Sequence, residues 1–294
     1  MRPEDLLARC PFPPPGAAVT CAVSGGADSS ALLVLAVAAG CAVTAVHVDH
    51  GLRAGSTDEA SAVAALAARF GAGFHSCRVS VAPGPNLEAR ARVARYAVLP
   101  TDVLTGHTLD DQAETVLINL LRGAGTSGLA GIRASSRRPL LALRRSETRA
   151  LCAAAGIDTV ADPSNSDPRH LRNRVRAELL PLLDALAGRD VATVLARQAE
   201  LLRGDDDLLD SLAGSLDPTD ARALAAAPAA LARRAVRSWL RDEHPPDAAT
   251  VERVLAVARG EAVACEVGGG RRVARRTQRM RILDPDGFAD QPVQ

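Results

Sequence analysis

Between residues 18 and 121, short apolar runs alternate with longer stretches whose apolar residues recur every three or four positions. Ala18 to Val23, Cys41 to Val48, Phe74 to Val81 and Asp102 to Thr105 predict strands. Asp28 to Ala39, Thr57 to Phe70, Asn86 to Tyr96 and Leu109 to Leu121 predict helices. Strands of nearly continuous apolar residues are buried on both faces, and a helix between successive strands supplies the crossover that parallel pairing needs. The expected fold class is α/β: a parallel-sheet domain with a smaller, mostly helical C-terminal domain.

The pattern changes after Leu121. Arg122 to Arg138 is rich in Gly, Ser and Arg and predicts a loop. A helix follows near Glu147 to Ala155, then a polar loop over Asp162 to His170. Leu171 to Leu202 predicts helix, bent or interrupted at Pro181 because proline lacks an amide donor. Asp205 to Asp217 predicts a turn or a flexible segment. Ala221 to Leu240, broken at Pro228, and Ala248 to Arg259 predict helices, and Ala262 to Leu283 predicts short strands. The expected domains are 1–185, a helical linker over 186–215, and 216–294 with a strand-like tail.

Composition narrows the chemistry. All 35 basic residues are Arg, against 34 acidic ones, so the net charge of +1 can conceal a basic patch. The absence of Lys excludes a Walker-type phosphate loop. Aromatics make up 2%, with Trp239 and Tyr96 the single Trp and Tyr, too few for a row of base-stacking platforms. The six cysteines are widely spaced without a Cys-x-x-Cys pair, which favours buried thiols over a disulfide scaffold or a metal cluster. Ala31 to Gly40 is too short to span a bilayer, and MRPEDLLARC lacks the order of an export signal. A cytoplasmic location with no membrane partner is the expectation.

The strongest local feature is Ser24-Gly25-Gly26-Ala27-Asp28-Ser29-Ser30, placed between a strand and a helix. Adjacent glycines permit sharp turns near a ligand, and amides at a helix start can surround phosphate oxygens. The domain is therefore expected to bind a nucleotide. Asp28 beside phosphates would call for a cation and is a candidate Mg²⁺ ligand; its alternative is a carboxylate favourable to the helix dipole. At the tip of the next strand, His50 could line an adenine or ribose pocket, while His47 reads equally as a buried core histidine.

After Thr105, the segment GHTLDDQAET spaces His107, Asp111 and Glu114 by four and three residues. That spacing puts all three on one helical face if the helix begins early enough. Two carboxylates there can bind an ammonium group and later accept its proton. A zinc cluster or a solvated polar face are the competing readings. Arg92 and Arg95, on the basic helix after Asn86, could oppose ATP phosphates or RNA. Three Arg concentrations, at 133–149, 169–176 and 271–281, are candidates for an RNA backbone.

The loop resembles those of the pyrophosphate-loop, or N-type, ATP pyrophosphatases. The segments SGGADSS, HVDHGLR, NLEARARVARY, GHTLDDQAETVLINLLRGAGTSGLAG, RRPLL and DPSNSDPRHLRNRVRAELLP extend this resemblance, in order over residues 24 to 181, to the tRNA(Ile)-lysidine synthetase family. The resemblance implies adenylation by ATP, with Mg²⁺, of C2 of the wobble cytidine in the isoleucine tRNA with a CAU anticodon. L-lysine then displaces AMP to form lysidine. It implies that Asp111 and Glu114 receive the lysine amino group, and that His107 and Arg92 lie at the reaction centre. It further implies that Ser24, Gly25, Gly26, Ala27, Asp28, Ser29, Ser30 and His50 hold ATP, and that Arg122, Arg172, Arg174 and Arg176 meet tRNA. Asp162, Asn165 and Asn173 fall in the same later motif. Family members can form dimers, which makes a homodimer the candidate assembly. The competing functions are a tRNA thiolation enzyme, which would need sulfur-transfer or iron–sulfur cysteines, and an ATP-responsive RNA-binding protein.

Overall fold

The computed structural model of the chain describes residues 1–49, 56–80, 84, 87–160, 167–242 and 246–284. It divides into two compact units, Met1–Leu202 and Arg203–Gln294.

The first unit begins with α1 (Glu4–Leu7), β1 (Ala18–Ala22), α2 (Ala27–Ala38), β2 (Ala42–Asp49), α3 (Ser56–Arg69), β3 (Gly73–Arg78) and α4 (Leu87–Val98). The three strands are parallel, in the order β1-β2-β3. The fourth predicted strand is reduced to one parallel bridge between Leu104 and Cys21. Leu104 N donates to Thr20 O at 2.8 Å and Ala22 N to Leu104 O at 2.9 Å. Only Val103 and Leu104 are apolar between Asp102 and Thr105, too short a run for a full ladder. Leu104 lies on the edge of β1 opposite β2, so the chain reverses its direction of travel across the sheet at β1. Such a reversal opens a crevice at the carboxyl ends of the strands, where ligands of α/β folds bind.

Residues 31–36 of α2 are all buried, because the helix packs on β1 and β2 on one side and on α7 (Arg145–Ala154) on the other. Between them in sequence come α5 (Leu109–Leu121) and the one-turn α6 (Thr126–Leu129), the latter inside the stretch predicted as loop. The chain continues through α8 (Leu171–Arg174), a π-helical turn at Val175–Leu179, α9 (Leu180–Ala187) and α10 (Val191–Gly214). The π turn stands directly before Pro181, whose ring would crowd the carbonyl of Ala177 in a regular α-helix.

Unit division falls inside α10, which runs through Asp205 to Gly214, where a turn or flexible segment was expected. The acidic run there is compensated: Asp206 is buried and paired with Arg234 at 2.8 Å and Arg203 at 3.6 Å. In the second unit, α11 (Ala221–Ala226) and α12 (Ala229–Trp239) pack on α13 (Ala248–Arg259), which lies on an antiparallel meander of β4 (Ala264–Gly268), β5 (Arg271–Arg276) and β6 (Arg279–Leu283). Pro228 separates α11 from α12, as its sequence position predicts. Leu224, Val236, Val254, Val257, Val273 and Met280 form this unit's core.

Candidate active site

The phosphate-loop segment leaves β1 and turns into α2 at the sheet reversal. Gly25 has φ +86°, and an added Cβ would lie 3.0 Å from Val160 Cγ2, so this turn requires glycine. Gly26 occupies the N-cap of α2 and no side chain caps it, which leaves first-turn amides free for anionic oxygens. Ser29 Oγ donates to Gly26 O at 2.9 Å and accepts from Ser24 N at 3.1 Å, closing the loop on itself. Ser30 Oγ is buried and has no partner among the described residues.

Gly106 brings the second segment against the first. An added Cβ would lie 2.7 Å from Asp28 O and 3.1 Å from Ser29 N. Only glycine permits that approach, and it seats residues 105–108 on the start of α2. Thr108 is the N-cap of α5, and Asp111 Oδ2 accepts from Thr108 N at 2.8 Å and Thr108 Oγ1 at 2.9 Å. This capping box starts the helix at Leu109. The condition for three residues on one helical face, a helix that begins early enough to include His107, is therefore not met. Asp111 and Glu114 share a face, while His107 precedes the helix and reaches the site from the strand tip.

His107 is half-buried, with Nδ1 2.8 Å from Thr105 Oγ1. Burial, with Arg92, Arg138 and Arg172 nearby, outweighs Asp111 and lowers its pKa to about 4. The imidazole is neutral at physiological pH, able to hydrogen-bond a base but not to act as a cation. The folded pKa is depressed below the unfolded value of 6.5, so only the unfolded chain takes up this proton between those limits. His107 therefore costs stability as pH falls from about 6.5 to about 4, by up to about 1.4 kcal/mol per pH unit. His107→Gln should flatten that part of the stability profile. Denaturant midpoints measured across the window check this, and parallel profiles for the two proteins would reject it.

A single guanidinium joins the two segments. Arg145, in the first turn of α7, donates Nε to Asp28 at 3.3 Å, Nη2 to Asp111 Oδ1 at 2.8 Å and Nη1 to Glu114 Oε1 at 2.9 Å. These contacts raise its pKa against the cost of burial. Asp28 also accepts from Thr148 Oγ1. Burial pushes the Asp28 pKa up, and Thr148 and Arg145 only partly offset it. Glu114 is 0% exposed. It further accepts Nε of Arg176 at 2.7 Å and Nη2 of Arg176 at 3.1 Å, with Arg172 Nε 3.9 Å away. The neighbouring Asp110 serves a different end: it accepts from the backbone N of Arg145 at 2.7 Å and pairs with Arg144.

The other candidates separate by position. Arg92 is exposed on α4 and stacks over Tyr96 at 5.0 Å. Arg122 is exposed at the C-terminal end of α5. Arg174 is 57% exposed and pairs with Glu178 at 3.4 Å, whereas Arg176 is 30% exposed and turned onto Glu114. His50, Asn86, Asp162 and Asn165 lie outside the described residues. Arg144 and Arg145, grouped by sequence with an RNA-facing cluster, point instead into acidic partners. The signal for this was present in the sequence. Cations at a helix start oppose the helix dipole and need acidic compensation. With the helix predicted to start near Glu147, both arginines read as loop.

A family model described as "PP-loop domain" matches residues 6–183. The tRNA(Ile)-lysidine synthase of Nocardia farcinica is 48% identical over 246 residues, covering 78% of this chain and 77% of that relative. The tRNA(Ile)-lysidine synthase of Salinispora tropica is 41% identical and covers 93% of this chain and 92% of that relative. Among solved structures, the U34-tRNA thiolase of Methanococcus maripaludis, with its [4Fe-4S] cluster, aligns with a TM-score of 0.52 at 19% identity. That match covers 64% of this chain and 73% of the thiolase, a likeness of fold.

Proposed function

Since the chain belongs to the tRNA(Ile)-lysidine synthase family of PP-loop proteins, we propose that its first unit carries out both half-reactions of lysidine formation at the sheet reversal. In the first, the C2 oxygen of the wobble cytidine of the isoleucine tRNA with a CAU anticodon attacks the α-phosphorus of ATP, and pyrophosphate leaves. In the second, the lysine amino group attacks C2, the bond to the adenylate oxygen breaks, and AMP leaves. The observation that carries this reading is the convergence of Asp28, Asp111 and Glu114 on one cation beside the phosphate loop.

Ser24, Gly25, Gly26, Ala27, Ser29 and Ser30 cradle the phosphates through amides and hydroxyls. Mg²⁺ would enter this corner in place of the Thr148 and Arg145 donors that now hold Asp28. Asp28 offers one hard oxygen ligand, and such an ion takes its remaining positions from phosphate and water. Asp28 would hold it, and the ion would neutralise charge developing at phosphate. Neutral His107 and the stacked Arg92 border the cytidine. Asp111 binds lysine's ammonium group and accepts its proton, which frees the nucleophilic amine. Arg122 and Arg174, the outward-facing arginines, meet the tRNA backbone, while Arg172 and Arg176 tie that contact to Glu114.

The thiolation alternative is disfavoured at three of the six thiols. Burial pushes Cys10 and Cys152 up to about 11 and Cys21 to about 12, so these sulfurs are protonated and poor nucleophiles. Among the described residues, no helix is long and apolar enough to cross a membrane.

Incubation of the full chain with ATP, Mg²⁺, lysine and the CAU isoleucine tRNA should yield lysidine on nucleoside mass analysis, with AMP in equal amount. Folded protein that forms no lysidine would overturn the reading. Thiolated cytidine instead would establish the alternative.

A further inference from the structure

Every carboxylate oxygen that could take lysine's ammonium group already accepts at least one hydrogen bond. Asp111 Oδ2 is spent on the capping box and Oδ1 on Arg145. Glu114 Oε1 accepts from Arg145 and Arg176, and Oε2 from Arg176. The charges also balance: Asp28, Asp111 and Glu114 face Arg145, Arg172 and Arg176. An added ammonium would be one uncompensated positive charge in a largely buried cluster, which is costly. As it stands, Arg145 holds the place in which an ammonium group would find its counter-charge.

The same guanidinium is placed to leave. Its Nε edge already touches Asp28, one residue past Ala27 in the phosphate loop. A bound triphosphate would bring several negative charges to that edge, and the planar fork of arginine suits phosphate oxygens bidentately. We infer that Arg145 is a nucleotide-operated gate, which seals Asp111 and Glu114 in the absence of ATP and turns toward the phosphates when ATP binds, opening those carboxylates to the ammonium group of lysine. Phosphate charge then compensates the guanidinium, and the ammonium takes its former place. Arg145 is a positioning residue here, and the gate imposes an order: nucleotide first, amine second. This inference rests on the reading of Asp111 as the ammonium site.

Lysine affinity of the full chain, measured by calorimetry at fixed Mg²⁺ without tRNA, tests the gate. The arms are no nucleotide and saturating α,β-methylene-ATP. In the wild-type protein the analogue should tighten lysine binding by about ten- to a hundredfold. Arg145→Gln should bind lysine without nucleotide about as tightly as wild type does with it, and the analogue should then add little. Arg145→Lys, which keeps a movable cation, should restore the nucleotide dependence, an outcome that a merely structural role would not give. Should the Gln variant not fold, the wild-type protein decides alone, because reciprocity requires lysine to tighten the analogue by the same factor. Wild-type lysine affinity indifferent to the analogue would overturn the gate, as would Arg145→Gln that keeps the full wild-type dependence. If Asp111→Asn binds lysine like wild type in both arms, the ammonium-site reading itself falls and the gate falls with it. Sensitivity to Asp111→Asn without sensitivity to nucleotide defeats the gate alone.

Discussion

Glu114→Gln is expected to lower the stability of the first unit by about 3–5 kcal/mol, the cost of removing one partner from a buried ion cluster. The side chain keeps its volume, so the loss measures charge and not a cavity. The carboxylate has no exposed surface and receives two hydrogen bonds from Arg176 and one from Arg145. Its amide replacement leaves those guanidiniums facing one another in a low-dielectric site. Denaturant unfolding followed by far-UV circular dichroism checks the value. The single Trp239 lies in the second unit, so the circular dichroism signal is the more direct report on the first. A loss under about 1 kcal/mol would place Glu114 among ordinary surface ion pairs. Because this variant damages the whole site, both half-reactions should fall together.

Asp111→Asn should divide them. Asp111 is partly exposed, and its amide replacement keeps an oxygen for the Thr108 cap while removing the negative charge. The phosphate loop is untouched, so adenylation of tRNA should persist near its wild-type rate. Transfer to lysine should drop by about 100-fold or more, the usual contribution of a positioned acid–base group. Single-turnover assays should show adenylated tRNA accumulating when lysine is added, with higher lysine rescuing only the binding part of the defect. Equal loss of adenylation and transfer would return Asp111 to a purely structural role, as would a normal transfer rate.

The contrast between these two carboxylates was not readable from their spacing. Asp111 and Glu114 look equivalent three residues apart on one helix. What separates them is what arrives from elsewhere: the π turn before Pro181 carries Arg176 onto Glu114 and leaves Asp111 to the cap and to Arg145. His107 shows the converse. Its spacing from Asp111 fits a helix, but the capping hydrogen bonds of Thr108 start that helix at Leu109, two residues too late to include it. A capping box of Thr with Asp three residues later was legible there, and it competes directly with the longer helix.

By itself the sequence determined what is local. Apolar periodicity placed β1, α2, β2, α3 and α5 to within a few residues, because burial of a strand or helix face repeats at the period of the backbone. The Ser24–Ser30 loop was legible because glycine turns and open helix-start amides act within seven residues. Tertiary structure alone decided which charges meet. Arg145 lies 117 residues from Asp28, and Arg176 lies 62 residues from Glu114. No local pattern encodes such pairs, since an arginine on a solvated face and one sealed among carboxylates have the same neighbours in sequence. The reversal of strand order at β1, the approach of Gly106 to α2 and the packing of α7 on α2 bring them together. Burial then makes their pairing obligatory, because a charge removed from water must find its counter-charge in the fold.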